Sequence, residues 1–338
     1  MKKKTIKDLA EASGFSASTI SRVLANKGNV KEETRLEIER LLVANNYRSG
    51  SVSTRISKAV QKMILAVVHD PSNEFHLNTI KKIQSECITA GYFLLVAISD
   101  GIADLEEKYV MLAQGSSLAG IVLMTPSETD TLKNLIAGSE TPVVLVNRYL
   151  PSLDLDVVCI DNYRGGYLAT THLLENGCQR VCHVAGPQDS SASRDRLRGF
   201  QDALRDAGVP ASDEDIYYGT LLRASGREFA KHYLDNRLQY DGIFFANDMA
   251  AAGFVNFARA RDVRIPEDVS VVCFDNSPAV TEGPIPLTTV SIDGEFLGEE
   301  AAKILLARIA GSDAPPTKHI YPPVLQERQS VRKSSPVR

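Results

Sequence analysis

Three side chains near the N-terminus have the types and spacing needed to read DNA. Ala17, Ser18 and Arg22 fall on one side of a predicted helix. Small residues at the start of a helix let it enter the major groove deeply, and an arginine one turn later is long enough to reach a guanine edge. The apolar positions of this helix lie on its opposite side: Ile20, Val23 and Leu24. An ordinary amphipathic helical hairpin has the same pattern, so the pattern alone leaves both interpretations open.

The flanking residues predict how this helix is held. A short helix over Thr5–Ala12 comes first, with a capping box at its start. Gly14 can adopt a positive φ in the turn, Phe15 fills the corner, and Ser16 caps the second helix. A third helix is predicted over Glu32–Asn45. Its apolar side chains are expected to complete a three-helix core: Leu36, Ile38, Leu41 and Leu42.

Charge separates this head from the rest of the chain. Residues 1–62 carry 13 lysines and arginines against 6 aspartates and glutamates, a net charge of +7. The whole chain of 338 residues carries −4, so the remainder carries −11. A small basic head on an acidic body is typical of a DNA-reading module attached to another function.

Several function classes lack support in the sequence. There is no GxGxxG, P-loop, GxSxG or HExxH motif, and the six histidines show no metal-ligand spacing, so no enzyme activity, cofactor or metal is expected. No apolar run approaches the ~18–20 residues of a membrane helix, and the basic N-terminus precedes no signal-peptide core. The five scattered cysteines are interpreted as buried thiols in a reducing cytoplasm.

The body has the pattern of an α/β fold. Continuous apolar runs alternate with amphipathic stretches at intervals of about 25–30 residues, which predicts parallel sheets with helices on both faces. Two such sheets predict two lobes, with ligands bound beyond the carboxyl ends of the strands. The predicted strands are Ile64–Val68, Phe93–Val96, Gly120–Leu123, Val143–Val146, Val181–Val184, Gly242–Phe245 and Val269–Phe274.

A polar, Ser-rich and basic segment, Arg48–Lys58, joins head and body in the chain. Its composition predicts a flexible linker. The alternative is a segment that orders only on DNA, with Arg55 on a phosphate and Ile56 as an apolar wedge in the minor groove.

The stretch TIKDLAEASGFSASTISRVLANKGNVKEETR (Thr5–Arg35) resembles the DNA-binding motif of the LacI/GalR family of bacterial transcription regulators. The resemblance covers nearly the whole sequence and implies a body like that of periplasmic binding proteins. Further landmarks follow in the family's order: Ala185-Gly186-Pro187, Arg196–Phe200, Ala246-Asn247-Asp248, Phe274-Asp275-Asn276 and Pro286–Val290.

The resemblance implies that the chain binds double-stranded DNA as a homodimer on a pseudo-palindromic operator. Ala17, Ser18 and Arg22 match the family's base-reading positions, and Ile56 matches the apolar wedge of its hinge helix. Contacts to the DNA backbone are expected from Thr5, Ser16, Thr19, Ser21, Asn26, Tyr47 and Arg55.

The resemblance also implies a small effector between the lobes. A sugar or sugar derivative suits the matching residues, because Arg196 donates, Asp275 accepts from hydroxyls and Phe75 can stack on a sugar face. The matching positions are Asn73, Phe75, His76, Asn147, Arg148, Arg196, Asn247 and Asp275.

Departures from the family pattern concern this effector site. Glu74 replaces a proline, His76 an aromatic residue, and Ile292 a glutamine that contacts the ligand in many members. Because His76 joins Arg148 and Arg196, a sugar acid or sugar phosphate is the hypothesis for the effector.

The domain organisation that the sequence and this resemblance predict is a head, a hinge, two lobes and a tail. The tail has no apolar heptads, so a dimer is expected rather than a coiled-coil tetramer. The sequence predicts a nucleoid-associated cytoplasmic regulator, most simply a repressor. The disfavoured alternative is a periplasmic-type sugar-binding protein or a sugar-processing enzyme. The predicted bounds are 1–46 for the head, 47–62 for the hinge, 63–162 with 293–322 and 163–292 with 323–332 for the lobes, and 333–338 for the tail.

Overall fold

The computed structural model describes residues 6–24, 30–44, 60–116 and 118–333. The chain divides into two compact units, Met1–Lys62 and Met63–Arg338. The described residues of the first unit form the helices α1 (Ile6–Ser13), α2 (Ala17–Leu24) and α3 (Glu32–Ala44).

The first unit is built as a helix-turn-helix followed by a third helix. Gly14 has a φ of 75°, as predicted for the turn, and Phe15 packs against the core. The Ser16 hydroxyl accepts a hydrogen bond from the Thr19 backbone N–H at 3.1 Å, which confirms Ser16 as the cap of α2. The predicted capping box involves Thr5, which lies outside the described residues. The buried core side chains are Leu9, Ile20, Val23, Ile38 and Leu42.

Leu36 was expected in this core, and that prediction is wrong. Its side chain is 46% exposed, whereas Ile38 is fully buried. The reason is helical geometry, because two residues along a helix correspond to a rotation of about 200°. Leu36 therefore lies on the opposite side of α3 from Ile38.

The second unit consists of two lobes, each built on a six-stranded sheet. The first sheet has the order β11-β5-β4-β3-β1-β2 and the second β12-β10-β9-β8-β6-β7. Adjacent strands pair in parallel except β10 and β12, which are antiparallel. The strands are β1 (Met63–Val68), β2 (Phe93–Ile98), β3 (Gly120–Met124), β4 (Val143–Val146), β5 (Asp156–Ile160), β6 (Val181–Ala185), β7 (Ile216–Tyr218), β8 (Gly242–Phe245), β9 (Ser270–Phe274), β10 (Thr288–Ser291), β11 (Lys318–Tyr321) and β12 (Val324–Gln326).

Helices cover these sheets, so the predicted α/β fold class is confirmed. The first lobe takes α4 to α6 and α12, and the second takes α7 to α11, so the chain crosses between lobes after β5, β10 and β11. None of the helices in the described part of the chain is long and apolar enough to cross a bilayer. The helices are α4 (Glu74–Thr89), α5 (Ala103–Gly115), α6 (Asp130–Ala137), α7 (Asn162–Glu175), α8 (Ser191–Asp206), α9 (Arg223–Asp235), α10 (Asp248–Arg259), α11 (Pro278–Thr281) and α12 (Gly294–Ile309).

The strand predicted over Phe93–Val96 exists, but as an edge strand instead of a buried one. Phe93 is 63% exposed, and Leu95, Val96 and Ile98 are also exposed. Edge strands have a neighbour on one side alone, and their composition does not reveal this position. The free edge of the first sheet therefore carries an apolar surface.

Candidate functional site

A narrow cavity, with about 60 Å³ of space for the centre of a water-sized sphere, lies between the two lobes, where strands end and helices begin. Its wall contains seven of the eight residues that the family resemblance implied for effector binding: Asn73, His76, Asn147, Arg148, Arg196, Asn247 and Asp275. The sequence comparison did not single out the other lining residues, which are His69, Asp70, Thr125, Ser190, Ala192, Ser193, Thr220, Leu221, Leu222 and Met249. His69 and Thr125 follow a strand directly, and the others lie in the loops and helix starts that come after a strand, so the rule that ligands bind at the carboxyl ends of parallel strands would have pointed to this region.

Phe75 is the predicted effector residue that the structure places outside this cavity. Its side chain packs in the apolar core of the first lobe, and its ring meets the His76 ring edge-on at 5.9 Å. Consecutive residues of a helix point about 100° apart, so when His76 faces the cavity Phe75 faces the core. The expected stacking of Phe75 on a sugar is therefore not available in this arrangement.

Four lining residues hold the backbone in the left-handed region although none is glycine. The φ angles are 57° at Thr125, 68° at Asn147, 65° at Leu221 and 103° at Asp275. Such conformations are unfavourable for residues with a Cβ, and they concentrate at binding and catalytic sites. Each of these residues lies at or near the end of a strand. The unusual backbone conformation therefore helps to direct their side chains toward the cavity.

Four helices begin at the cavity wall, so their positive dipole ends converge on it. Asn247 caps α10 through Oδ1, which accepts from the Ala250 N–H at 3.0 Å, and its Nδ2 donates to the Leu221 carbonyl at 2.8 Å. Its amide is thus engaged within the wall. The N-cap residues that line the cavity are Asn73 of α4, Ser190 of α8, Leu222 of α9 and Asn247 of α10.

Arg196 is held from several sides. Its Nε donates to Asn162 Oδ1 at 2.8 Å, Nη1 donates to the Ala246 carbonyl, and Nη2 lies 4.0 Å from Asp275 Oδ1. The guanidinium also stacks on Phe274, 3.5 Å from the ring centroid. Burial lowers the pKa of Arg196 to about 10, so it stays charged at neutral pH. The side chain is a fixed cation in the cavity floor.

Asp275 links this cation to the other lobe. Its Oδ2 accepts a hydrogen bond from Asn73 Nδ2 at 3.2 Å, and Asn73 belongs to the first lobe. Burial raises the pKa of Asp275, while Arg196 and Asn73 oppose that rise. The nearby Asp248 is fully enclosed, and burial raises its pKa to about 7. The carboxylate of Asp275 thus faces both lobes.

Three further contacts join the lobes beside the cavity. The Tyr149 hydroxyl donates to Asp195 Oδ2 at 3.0 Å, the Tyr149 backbone N–H donates to the Ser191 hydroxyl at 3.1 Å, and Arg194 Nη2 pairs with Glu128 Oε1 at 2.7 Å. Tyr149 and Glu128 come from the first lobe, and the other three residues from α8 of the second. The structure therefore shows the lobes in a mutually bonded arrangement.

The predicted DNA-reading face of α2 is accessible within the first unit. Ser18 and Arg22 are exposed and Ala17 is half-buried, and Arg22 has no hydrogen bond or ion pair to another described residue. The Ser16 hydroxyl lies 2.8 Å from that of Ser18 and 2.7 Å from that of Thr19, a network that the sequence did not reveal. Ser21 is exposed as well. The remaining predicted DNA contacts lie outside the described residues: Thr5, Asn26, Tyr47, Arg55 and Ile56.

Each of the two units matches a known protein family. The family described as bacterial regulatory proteins of the lacI family matches residues 5–50, and a periplasmic binding protein-like domain matches residues 170–331. The chain is 30% identical over 332 residues to the HTH-type transcriptional regulator DegA of Bacillus subtilis (strain 168), covering 97% of this chain and 98% of DegA.

Solved structures are similar over the same length. The complex of the transcriptional regulator CelR with cellobiose has a TM-score of 0.73 and 27% identity, covering 97% of this chain and 99% of CelR. The lac repressor dimer bound to operator and an anti-inducer has a TM-score of 0.74 at 21% identity, covering 98% of this chain and 100% of that one, and it shows the shared fold.

A helix-turn-helix unit followed by a two-lobed α/β unit with a central cavity defines the class of DNA-binding transcription regulators. The chain belongs to the lacI family of bacterial regulatory proteins.

Proposed function

We propose that this regulator is a repressor whose affinity for its operator is controlled by a small effector in the cavity. The observation that carries the proposal is that residues of both lobes form one cavity wall, bridged by the hydrogen bond from Asn73 to Asp275. An occupant that contacts both lobes changes the free energy of their closure by its differential affinity for the two arrangements. The hinge segment, 47–62, would carry that change to the head.

A sugar or sugar derivative suits the cavity chemically. Asp275 can accept from two hydroxyls, and Arg196 has Nη2 left to donate, since its other nitrogens bind the protein. His76 and Asn147 add further polar groups on the opposite lobe. The related CelR was solved with cellobiose, which supports a carbohydrate ligand for this chain as well.

The head reads the operator through α2. We infer that Ala17, Ser18 and Arg22 contact bases, with Arg22 donating to a guanine. Ile56 is the proposed minor-groove wedge. Backbone contacts are assigned to Thr5, Ser16, Thr19, Ser21, Asn26, Tyr47 and Arg55. A helix this short specifies few base pairs, so a pseudo-palindrome bound by two copies is the natural site.

The exposed edge of the first lobe supports a homodimer. Large apolar side chains on β2 and the adjoining helices are 42% to 65% exposed, which is unfavourable for a monomer in water. A second copy of the chain is the occupant that a two-fold operator requires. The side chains of this dimer face are Ile88, Phe93, Leu95, Val96, Ile98, Met111 and Leu112.

We further infer that the protein regulates without catalysis and acts in the cytoplasm at the nucleoid. The relatives are named as transcription regulators, and a protein that binds chromosomal operators works where the chromosome is.

Selection of genomic fragments by the purified full-length protein at physiological salt tests the proposal. Recovery of one pseudo-palindrome with a deformable central step is the expected result. Recovery of unrelated fragments in proportion to their length, both without ligand and with a carbohydrate panel, would contradict it.

A further inference from the structure

Arg148 is a partly buried cation that pairs with none of the residues that the structure describes. It follows β4 directly and lines the cavity. It forms no hydrogen bond or ion pair with any residue in the described ranges, in contrast to Arg196, which is bonded from three sides. A charge that is partly removed from water without a partner is unfavourable, so its position in the cavity wall indicates a partner that arrives with the ligand.

No acid in the described residues lies within 4.0 Å of the Arg148 guanidinium, Asp189 included, and other acids around it are bonded elsewhere. Glu128 pairs with Arg194 at 2.7 Å, and Glu106 accepts from the Ser127 N–H at 2.8 Å. Asp70, which also lines the cavity, accepts from the backbone N–H and the hydroxyl of Ser72 within its own turn.

The electrostatic surroundings of Arg148 favour an anion. Burial lowers the pKa of Arg148, even though Asp189, Glu106 and Glu128 oppose this from a distance. Arg148 in turn contributes to lowering the pKa of His69 and His76, which line the same cavity. The N-terminus of α8, capped by Ser190, lies in the same wall and adds a positive potential.

Hydrogen-bond acceptors lie beside this cation. Asn147 is 7% exposed, and its Oδ1 accepts no hydrogen bond from the described residues. His76 Nδ1 lies 3.0 Å from the Asp70 carbonyl, which can only accept, so Nδ1 carries the proton and Nε2 is left as an acceptor. Acceptors of this kind are matched by hydroxyl groups and would repel a bare anion placed against them.

We propose that the effector is an anionic polyol, either a sugar acid or a sugar phosphate. Its negative group pairs with Arg148 near the start of α8, and its hydroxyls donate to Asn147 and His76. This inference rests on the proposed function in one respect alone, namely that the occupant of this cavity is the effector. Carboxylate and phosphate share the chemistry that Arg148 recognises, and the test separates them.

The test is calorimetric titration of the full-length protein at constant ionic strength and pH 7.5. The probes are matched sets: D-glucose with D-gluconate, D-glucuronate and D-glucose 6-phosphate, the corresponding galactose set, and inorganic phosphate. The variants are Arg148→Gln and Arg148→Lys. Arg164→Gln is the control, since Arg164 is an exposed arginine of the second lobe outside the cavity.

We expect at least one charged probe to bind tenfold or more tightly than its neutral counterpart. Arg148→Gln should weaken that probe by about 10–100-fold and leave any neutral sugar within about twofold, because it removes a charge-assisted hydrogen bond. Arg148→Lys should recover part of the loss. The charged probe that binds best identifies the carboxylate or the phosphate class.

Three results would overturn the inference. They are equal or tighter binding of the neutral sugars, a charge preference that survives Arg148→Gln, and no saturable binding of any charged probe. Operator selection by the same preparation is independent of these titrations. Operator binding released by a neutral sugar would refute the anionic effector and preserve the proposed function, whereas failure to bind any operator would refute the proposed function itself.

Discussion

Asn73 Nδ2 donates to Asp275 Oδ2 across 3.2 Å, and this bond joins two residues that lie 202 positions apart in the chain. Asn73 also caps α4, because its Oδ1 accepts from the Phe75 N–H at 3.0 Å. Asp275 in turn lies 4.0 Å from Arg196. One amide therefore connects the start of a helix in the first lobe to the fixed cation of the second.

Exchanging the two partners tests this connection. Asn73→Asp keeps the helix cap but places a second carboxylate against Asp275, so it should lower the free energy of unfolding by roughly 1–3 kcal/mol at pH 7. Adding Asp275→Asn restores a donor and an acceptor, and should recover at least half of that loss in urea unfolding. Additive losses in the double variant would show that the bond does not hold the lobes together.

Arg22 should contribute to sequence specificity. Arg22→Ala is expected to weaken binding to the selected operator by roughly 1–3 kcal/mol and to leave binding to random DNA nearly unchanged. Arg40→Ala is the matched control, because Arg40 is an exposed arginine on α3 of the same unit. Fluorescence anisotropy on both DNAs measures the effect. An equal loss on the two DNAs would assign Arg22 to phosphate contact alone.

The dimer face should be sensitive to charge. Leu112 is 65% exposed near the end of α5, and a charge there would be buried against the second copy. Leu112→Glu should therefore shift the protein towards monomer in sedimentation equilibrium. Its affinity for a two-fold operator should fall correspondingly. Ile320→Glu is the control, since Ile320 is 54% exposed on β11, the opposite edge of the same sheet. If Ile320→Glu dissociates the dimer and Leu112→Glu does not, the interface lies at the β11 edge and the proposed dimer face is wrong.

His76 should make the fold sensitive to acid. Burial lowers its pKa to about 4. Between pH 6.5 and 4 the His76 ring is therefore protonated in the unfolded chain but stays largely neutral in the folded chain. Stability contributed by the neutral ring is thus complete above pH 6.5 and falls as the pH drops through this window. The loss between pH 7 and pH 5 should be roughly 2 kcal/mol.

Urea unfolding of the wild type and of His76→Gln at both pH values measures this effect. The variant should lose less stability on acidification than the wild type, by about that amount. Parallel pH profiles for the two proteins would mean that His76 is as readily protonated in the folded state as in the unfolded one.

Local features of the head followed from the sequence because they depend on neighbouring residues. Gly14, Ser16 and the bounds of α2 are set by turn and capping chemistry within a few positions. Leu36 is the exception. Its apolar side chain suggested a core position, but its angular position around α3 places it on the exposed side.

Features of the body that depend on distant residues were less predictable. The strand β5 begins at Asp156, whose carboxylate binds Arg308 Nε at 2.6 Å, a contact across 152 positions that the local sequence does not show. The free edge at β2 depends on the order of strands in the sheet and not on the apolar residues of β2 itself. The sequence likewise indicated both Arg148 and Arg196 as effector-binding positions, and only the structure shows that Arg196 has partners among the described residues whereas Arg148 has none.

The claim at the centre of this account is that the chain recognises a specific operator as a regulator. Titration of the selected pseudo-palindrome and of a scrambled duplex of equal length, at physiological salt, tests it most directly. We predict a preference for the operator of at least about a thousandfold, as specific DNA-binding proteins show. Equal affinity for the two duplexes, with a steep salt dependence for both, would contradict sequence-specific regulation and reduce the head to a non-specific basic surface.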